Sequence, residues 1–194
     1  MQSDIFVNGC SWSAGCELEN MNTEKYSYLL SKNAVNISHG GRSNDQIVDT
    51  TINWLNNNKC KLAIIQFTFA SRIQIFKNNN WVSIQTPKHK DPETDLFYAK
   101  KMYYKYIYSK KLGDRNFWKN VCHLEMFMKN KQVPYIFWHI GKTSNDDGFY
   151  INMSENKNML NANFLKHDRE NMLSGHPSAK GHQLIAEKLL ATQH

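Results

Sequence analysis

The sequence predicts an α/β domain built on a parallel sheet with helices over both faces. Two observations predict it. Short apolar runs at residues 5–8, 34–38, 62–67 and 133–139 alternate with stretches of helical periodicity, the pattern of strands buried on both sides. Small-residue turns, Gly9-Cys10-Ser11 and Gly40-Gly41, also stand directly after the first two apolar runs, where strand-to-helix connections of such a sheet fall.

The elements follow in chain order. Residues 5–8 form the first strand. Thr23 can cap a helix carrying Tyr26, Leu29 and Leu30 on one side. Residues 34–38 give a short second strand. Ser43 then caps a helix whose Val48, Ile52 and Leu55 recur at helical spacing. Residues 62–67 read as a fully buried third strand. In residues 72–85, Ile73 and Ile75, then Val82 and Ile84, alternate around Asn78-Asn79-Asn80, which predicts a projecting hairpin.

Two helices follow a polar connection. Leu96, Ala99, Tyr103, Tyr106 and Ile107 line one face of the first, and Phe117, Val121, Leu124 and Met128 one face of the second. Gly113-Asp114 supplies the stop and new cap between them. Residues 133–139 form the fourth strand, and the Asn-rich residues 141–163 a long surface loop. Leu184, Ile185, Leu189 and Leu190 give the closing helix its buried side. No internal repeat or interdomain linker interrupts the chain, so residues 1–194 are expected to form one domain.

Composition narrows the class. With 194 residues, 41% of them hydrophobic and 12% aromatic, the chain is long enough to bury a core without metal or disulfide support and is not a disordered type. No apolar stretch approaches the roughly 18 residues of a membrane span, and the N-terminus carries no charged-then-apolar leader, so a cytoplasmic protein is expected. Cys10, Cys16, Cys60 and Cys122 show no close pairing and are expected as reduced thiols. The net charge of +7 is concentrated in Lys100, Lys101, Lys105, Lys110, Lys111, Arg115 and Lys119. A solvated helix face is the usual meaning of such a cluster; attraction of an anionic partner is the other.

Two runs carry the chemistry. Gly9-Cys10-Ser11-Trp12-Ser13-Ala14-Gly15 sets a hydroxyl on a tight turn at the end of the first strand. Gly175-His176-Pro177-Ser178-Ala179-Lys180-Gly181-His182 brings a histidine to the start of the last helix. Ser11 and His176 are the parts needed for nucleophilic attack. In an open parallel sheet ligands bind beyond the carboxyl ends of the strands, and Ser11, Gly41 and Thr68 all follow their strands closely. A helix-capping role is the alternative for Ser11. Cys10 is expected to point into the sheet as a small hydrophobe. His176 and His182 are six residues apart, off the spacing of a helical metal site, and no cofactor is implied. His182 is expected near solvent. His139, at the end of the fourth strand, is expected as a structural histidine. Arg72 is either a binder of an anionic substrate group or the anchor of the hairpin.

These runs resemble the SGNH/GDSL hydrolases, in order and spacing along nearly the whole chain. Gly9-x-Ser11-x-Ser13-x-Gly15 matches the first block, with Cys10 in place of the usual Asp. Asn36-Ile37-Ser38-His39-Gly40-Gly41-Arg42-Ser43 matches the second, Gly41 standing at the family's glycine. Gln66-Phe67-Thr68 occupies the place of the family's Gly-x-Asn. His176-Pro177-Ser178 matches the last block, with Leu173 where the family has Asp. The resemblance implies a flavodoxin-like three-layer α/β/α sandwich with a parallel sheet of about five strands and a hairpin and helical insertion after the third. It implies an esterase or O-deacetylase in which Ser11 attacks an acyl carbonyl, His176 takes its proton, and the Ser11 and Gly41 amides, with Thr68 in the place of the Asn, hold the oxyanion. Asp168, the nearest upstream carboxylate, and Ser174 are the candidates for orienting His176.

The resemblance implies a small acyl ester or a glycan as the partner. Two other readings stand beside this one. The first is a binder of acylated or glycan ligands that kept the fold and lost the chemistry, which Thr68, Gln66 and Leu173 favour. The second is a binder of anionic polymers using the Lys100 to Lys119 surface. Zinc-finger, RNA-stacking and helix-turn-helix motifs are absent, so nucleic acid ranks last.

Overall fold

The computed structural model describes residues 2–85, 94–141, 159–165 and 170–192. Five strands form a parallel sheet: β1 (Gln2–Asn8), β2 (Val35–Asn36), β3 (Lys59–Phe67), β6 (Tyr135–His139) and β7 (Leu160–Asn161), in the order β2-β1-β3-β6-β7. Counting sheet strands alone, this is the doubly wound order 2-1-3-4-5, whose topological switch point lies between β1 and β3. Strand β2 is shorter than the sequence predicts, but Ile37 N–H donates to Val7 and His39 N–H to Gly9, carrying the pairing to the rim.

Side-chain alternation sorts the core into two layers. Phe6, Ala63, Ile65, Phe67 and Phe137 face α3 (Asn44–Asn57) and α5 (Lys110–Lys131), against Ile47, Val48, Leu55, Phe117, Val121, Leu124 and Met128. Val7, Ile64 and Trp138 face the other way, against Tyr26 of α2 (Tyr26–Leu30) and Ile185, Ala186 and Leu189 of α6 (Ala179–Ala191). A sheet covered on both faces is therefore present, as the apolar strands require. Ser43 caps α3 by accepting from Gln46 N–H, and Ser178 caps α6 by accepting from Gly181 N–H.

The hairpin forms as β4 (Ile73–Lys77) and β5 (Asn80–Ile84), antiparallel, with Asn78 and Asn79 both at positive φ. Two left-handed residues in a two-residue loop match the right-handed strand twist. Next come α4 (Asp95–Met102), capped by Thr94, and a π-helical turn (Tyr103–Ile107).

Several expectations change. Helix α2 starts at Tyr26 with Lys25 in the cap position, not Thr23, and Leu29 is exposed. On α4 and the π-turn only Phe97 and Tyr103 are buried; Tyr98, Met102, Tyr106 and Ile107 face solvent. Gly113-Asp114 does not break the helices. Ser109 caps α5 by accepting from Leu112 N–H, and the helix runs straight through Gly113. That glycine answers crowding, since a Cβ there would meet the Ala70 carbonyl oxygen and the Tyr108 ring at 2.9 Å. Leu190 is exposed, while Ile185 and Leu189 are buried as expected. Of the loop predicted at 141–163, residues 142–158 lie outside the described residues, and the rest supply β7 and the start of a 3₁₀ turn (Ala162–Leu165). No helix among the described residues is long and apolar enough to cross a membrane.

Candidate active site

Strand β1 delivers the chain to the carboxyl rim, where α1 (Ser11–Ala14) makes a single turn and stops at Gly15, φ 78°. Gln66, fully buried at the end of β3, holds this turn in place. Its Oε1 accepts from Cys10 N–H (3.2 Å), Ser13 N–H (3.2 Å) and Ser13 Oγ (2.8 Å). Its Nε2 lies 3.1 Å from Cys10 Sγ. Ser13 Oγ also pairs with Tyr26 OH at 2.8 Å, and burial pushes the Tyr26 phenol above its ordinary range. Gly9 is required by this closeness: a Cβ there would stand 2.7 Å from Ser13 Oγ and 2.8 Å from Gln66.

Ser11 is the first helical residue; Cys10, which makes no side-chain capping bond, occupies the cap position. The capping alternative for Ser11 therefore falls away. Among the described residues the one hydrogen-bond contact of its Oγ is to Cys10 Sγ, at 3.9 Å. Cys10 itself is buried in the layer with Val7 and Ile64.

The second block reaches the same rim. Asn36 Nδ2 donates to Ser13 O (2.7 Å) and to Ser27 Oγ (2.9 Å), tying the end of β2 to the serine turn. A Cβ on Gly40 would lie 3.8 Å from Ser11 Cβ, so this segment runs alongside the hydroxyl. Gly41 has φ 81° and nothing within 4 Å of a Cβ position: its glycine is set by backbone conformation beside open space. Neither the Ser11 nor the Gly41 amide N–H has an acceptor among the described residues. Beneath the block, Arg42 Nη1 donates to Asn8 Oδ1 and Ile37 O at 2.8 and 2.7 Å, and burial lowers its pKa.

Thr68 is fully buried rather than presented to this space. Asn44 holds its backbone from both sides, and its Oγ1 accepts from Arg72 Nη1 at 3.0 Å. Arg72 also donates to Arg42 O and stacks 5.1 Å from the Phe69 ring. Of its two readings, these contacts match the anchor at the root of β4.

The histidine arrives on a tight turn. Leu173 N–H donates to His176 O at 2.7 Å, Met172 bridges to Pro177, and Ser178 N–H donates to Asn171 O. Gly181 lets α6 pass against this turn, because a Cβ there would collide with the Asn171 carbonyl. Trp12 Nε1 donates to Gly175 O at 3.1 Å. The neighbour of Ser11 thus binds the neighbour of His176, joining the two ends of the chain at one rim.

Behind His176 stands a carboxylate that sequence reasoning missed. Glu17 Oε1 lies 2.9 Å from His176 Nδ1, an ion-pair distance with an oblique approach to the ring. Ser174 Oγ lies 2.9 Å from both Glu17 oxygens, so it is spent on Glu17 and does not itself bind the ring. The Ser174 hydroxyl first, and then His176, hold the Glu17 carboxyl below its ordinary range. The available signal was weak: a carboxylate two residues past Gly15, on the same rim as Ser11. Asp168 lies outside the described residues. The Nε2 of His176 has no partner among the described residues.

Two other histidines are buried. His182 is not near solvent as expected: it is fully enclosed, its Nδ1 accepting from Tyr26 N–H at 3.1 Å and its ring stacked on Tyr26. The turn of α6 that seats Gly181 against Asn171 points the next side chain inward. Burial, with a smaller effect from His176, pushes its pKa down to about 4. His139 packs edge-on to Phe117, with Asn161 Nδ2 at 3.1 Å from its Nε2, and burial lowers its pKa to about 4. These contacts are those of a structural histidine. Among the described residues no three His, Cys, Asp or Glu side chains converge as metal ligands would.

No protein-family model matches the sequence, and no curated protein matches it. Solved structures do. TesA superposes with a TM-score of 0.59 at 13% identity, over 99% of this chain and 97% of its own. A GDSL-like lipase from Bacteroides thetaiotaomicron gives 0.53 at 8% identity, over 98% and 87%. An acetyl xylan esterase (Est2A) from the rumen bacterium Butyrivibrio proteoclasticus gives 0.52 at 10% identity, over 98% of this chain and 63% of its own. The fold is the three-layer fold of the SGNH/GDSL hydrolases, in a divergent form.

Proposed function

We propose that this protein is a serine ester hydrolase acting on small acyl esters, with O-acetyl groups on carbohydrate as the substrate class. One observation supports the reading: the Ser11 turn and the His176 turn are joined by the hydrogen bond from Trp12 Nε1 to Gly175 O. Ser11 Oγ attacks the acyl carbonyl carbon while His176 Nε2 takes the hydroxyl proton. The oxyanion forms between the Ser11 and Gly41 amides, each such donor contributing about 3–4 kcal/mol when fixed in advance. Collapse expels the alcohol with the proton from Nε2, and water then releases the acid by the same steps. The family's side-chain donor has no counterpart in the enclosed Thr68, so the two amides carry the hole and a slow enzyme is expected. The acetyl group and the carbohydrate carrier rest on the likeness in fold to an acetyl xylan esterase.

The test is turnover of p-nitrophenyl acetate and acetylated xylo-oligosaccharides by the wild type, Ser11→Ala and His176→Ala. Falls of at least about 100-fold in kcat are expected for both variants. Equal rates in wild type and Ser11→Ala would remove Ser11 from the mechanism; binding of the glycan without turnover would favour the ligand-binding reading.

A second reading has its own observation. Tyr98, Met102, Tyr106 and Ile107 form an exposed stripe on α4 and the π-turn, interleaved with Lys100, Lys101 and Lys105. Such a surface suits an anionic polymer. Heparin affinity that falls steeply between 50 and 200 mM salt, roughly as counterion release demands, would support it; flat salt dependence would remove it.

A further inference from the structure

We propose that Glu17 is the carboxylate that positions the His176 ring, supplied from the serine turn instead of from the chain just before the histidine. The inference rests on the ester-hydrolase reading for its consequence and on the Glu17 geometry for its content. The family's position for this acid is Leu173, which is 42% exposed and can orient nothing. Ser174 is turned away to Glu17. Glu17 alone among the described carboxylates reaches the ring, Oε1 lying 2.9 Å from Nδ1 but off the line of an Nδ1–H bond.

Three features hold it there. Glu17 adopts φ 72°, a left-handed conformation that a non-glycine residue keeps only when its surroundings impose it. Cys16 N–H donates to Ser11 O at 3.1 Å, fixing the chain between nucleophile and carboxylate as one piece. The Ser174 hydroxyl, 2.9 Å from each carboxylate oxygen, locks the rotation of the group. Nucleophile and positioning acid therefore ride on one turn, and only the imidazole comes from the far end of the chain.

An ionised Glu17 keeps the proton of neutral His176 on Nδ1, leaving the Nε2 lone pair to accept the Ser11 hydroxyl proton. Once that proton has moved, the ring carries a positive charge and Glu17 stabilises it; Glu17 stays ionised throughout and no proton passes to it.

The experiment compares Glu17→Gln, Glu17→Asp and Ser174→Ala with wild type and Ser11→Ala, reading kcat, KM, the unfolding midpoint and the ¹⁵N signals of the His176 ring. Glu17→Gln should lower kcat by about 100- to 10,000-fold with KM within about twofold. It should leave the unfolding midpoint in place and convert the ring from the Nδ1–H tautomer to a mixture. Glu17→Asp should recover part of the rate and the tautomer, and Ser174→Ala should cost about tenfold. A Glu17→Gln protein with kcat within threefold of wild type and an unchanged tautomer would overturn the assignment. If Ser11→Ala turns over like wild type, the hydrolase reading fails separately, and the ring spectrum still decides whether Glu17 sets the tautomer. Should Glu17→Gln not fold, Glu17→Asp and Ser174→Ala give the same two readouts.

Discussion

At the residue scale, Gln66 shows how one side chain shapes the turn that carries Ser11. Its carbonyl oxygen gathers two backbone amides and a hydroxyl in a fully buried place. A buried donor without an acceptor costs about 1–3 kcal/mol. Gln66→Leu fills similar space but orphans the Cys10 and Ser13 amides and leaves the Ser13 hydroxyl with Tyr26 OH alone, so we expect a loss of about 2–4 kcal/mol in urea denaturation. Turnover should fall as well, because the turn that aims Ser11 loses its fixed point. A loss under about 0.5 kcal/mol would mean that the turn holds itself.

At the element scale, packing reverses the meaning of a glycine. In an exposed helix interior, Gly→Ala stabilises by up to about 1 kcal/mol. Gly113 lies inside α5 where that helix presses on the Ala70 carbonyl and the Tyr108 ring. We expect Gly113→Ala to destabilise by about 1–3 kcal/mol through forced displacement, read as a lower thermal midpoint. A gain would show that α5 can shift without cost. The same residue explains why the sequence misleads there: Gly-Asp looks like a stop and a cap, while the true cap is Ser109, four residues earlier. Asp114, almost fully buried, is paired with Lys110 at 2.8 Å.

At the scale of the whole molecule, each face of the sheet encloses one neutral imidazole, His139 against Phe117 and His182 against Tyr26. In the unfolded chain both take up a proton near pH 6.5; in the folded protein burial delays this to about pH 4. The unfolded state therefore binds more protons between those values, and stability falls as pH falls through that window. Each histidine contributes a slope of about 1.4 kcal/mol per pH unit. Urea denaturation at pH 7, 6 and 5 should show this decline. His182→Gln, which keeps an acceptor for Tyr26 N–H but cannot take a proton, should remove about half of the slope. An unchanged slope in that variant would locate the proton uptake elsewhere.

The alternation of strands and helices, the two helical layers and the pair of turns bearing Ser11 and His176 were legible in the sequence, because each follows from local pattern; the strand order was implied only by the resemblance, and β7 lies inside what reads as a loop. Period-two and helical apolar spacing, glycines at a rim and a capping serine after Pro177 need no knowledge of distant contacts. Three things were decided only in three dimensions. Tertiary crowding, not helix ending, explains Gly113; the rotation of α6 against the 170–178 turn buries His182; and the fold brings Glu17 back against a ring 159 positions later. Linear order fixes which side chains are available, but a carboxylate acts over a few ångströms, and that neighbourhood exists only after the first turn and the last have closed on each other.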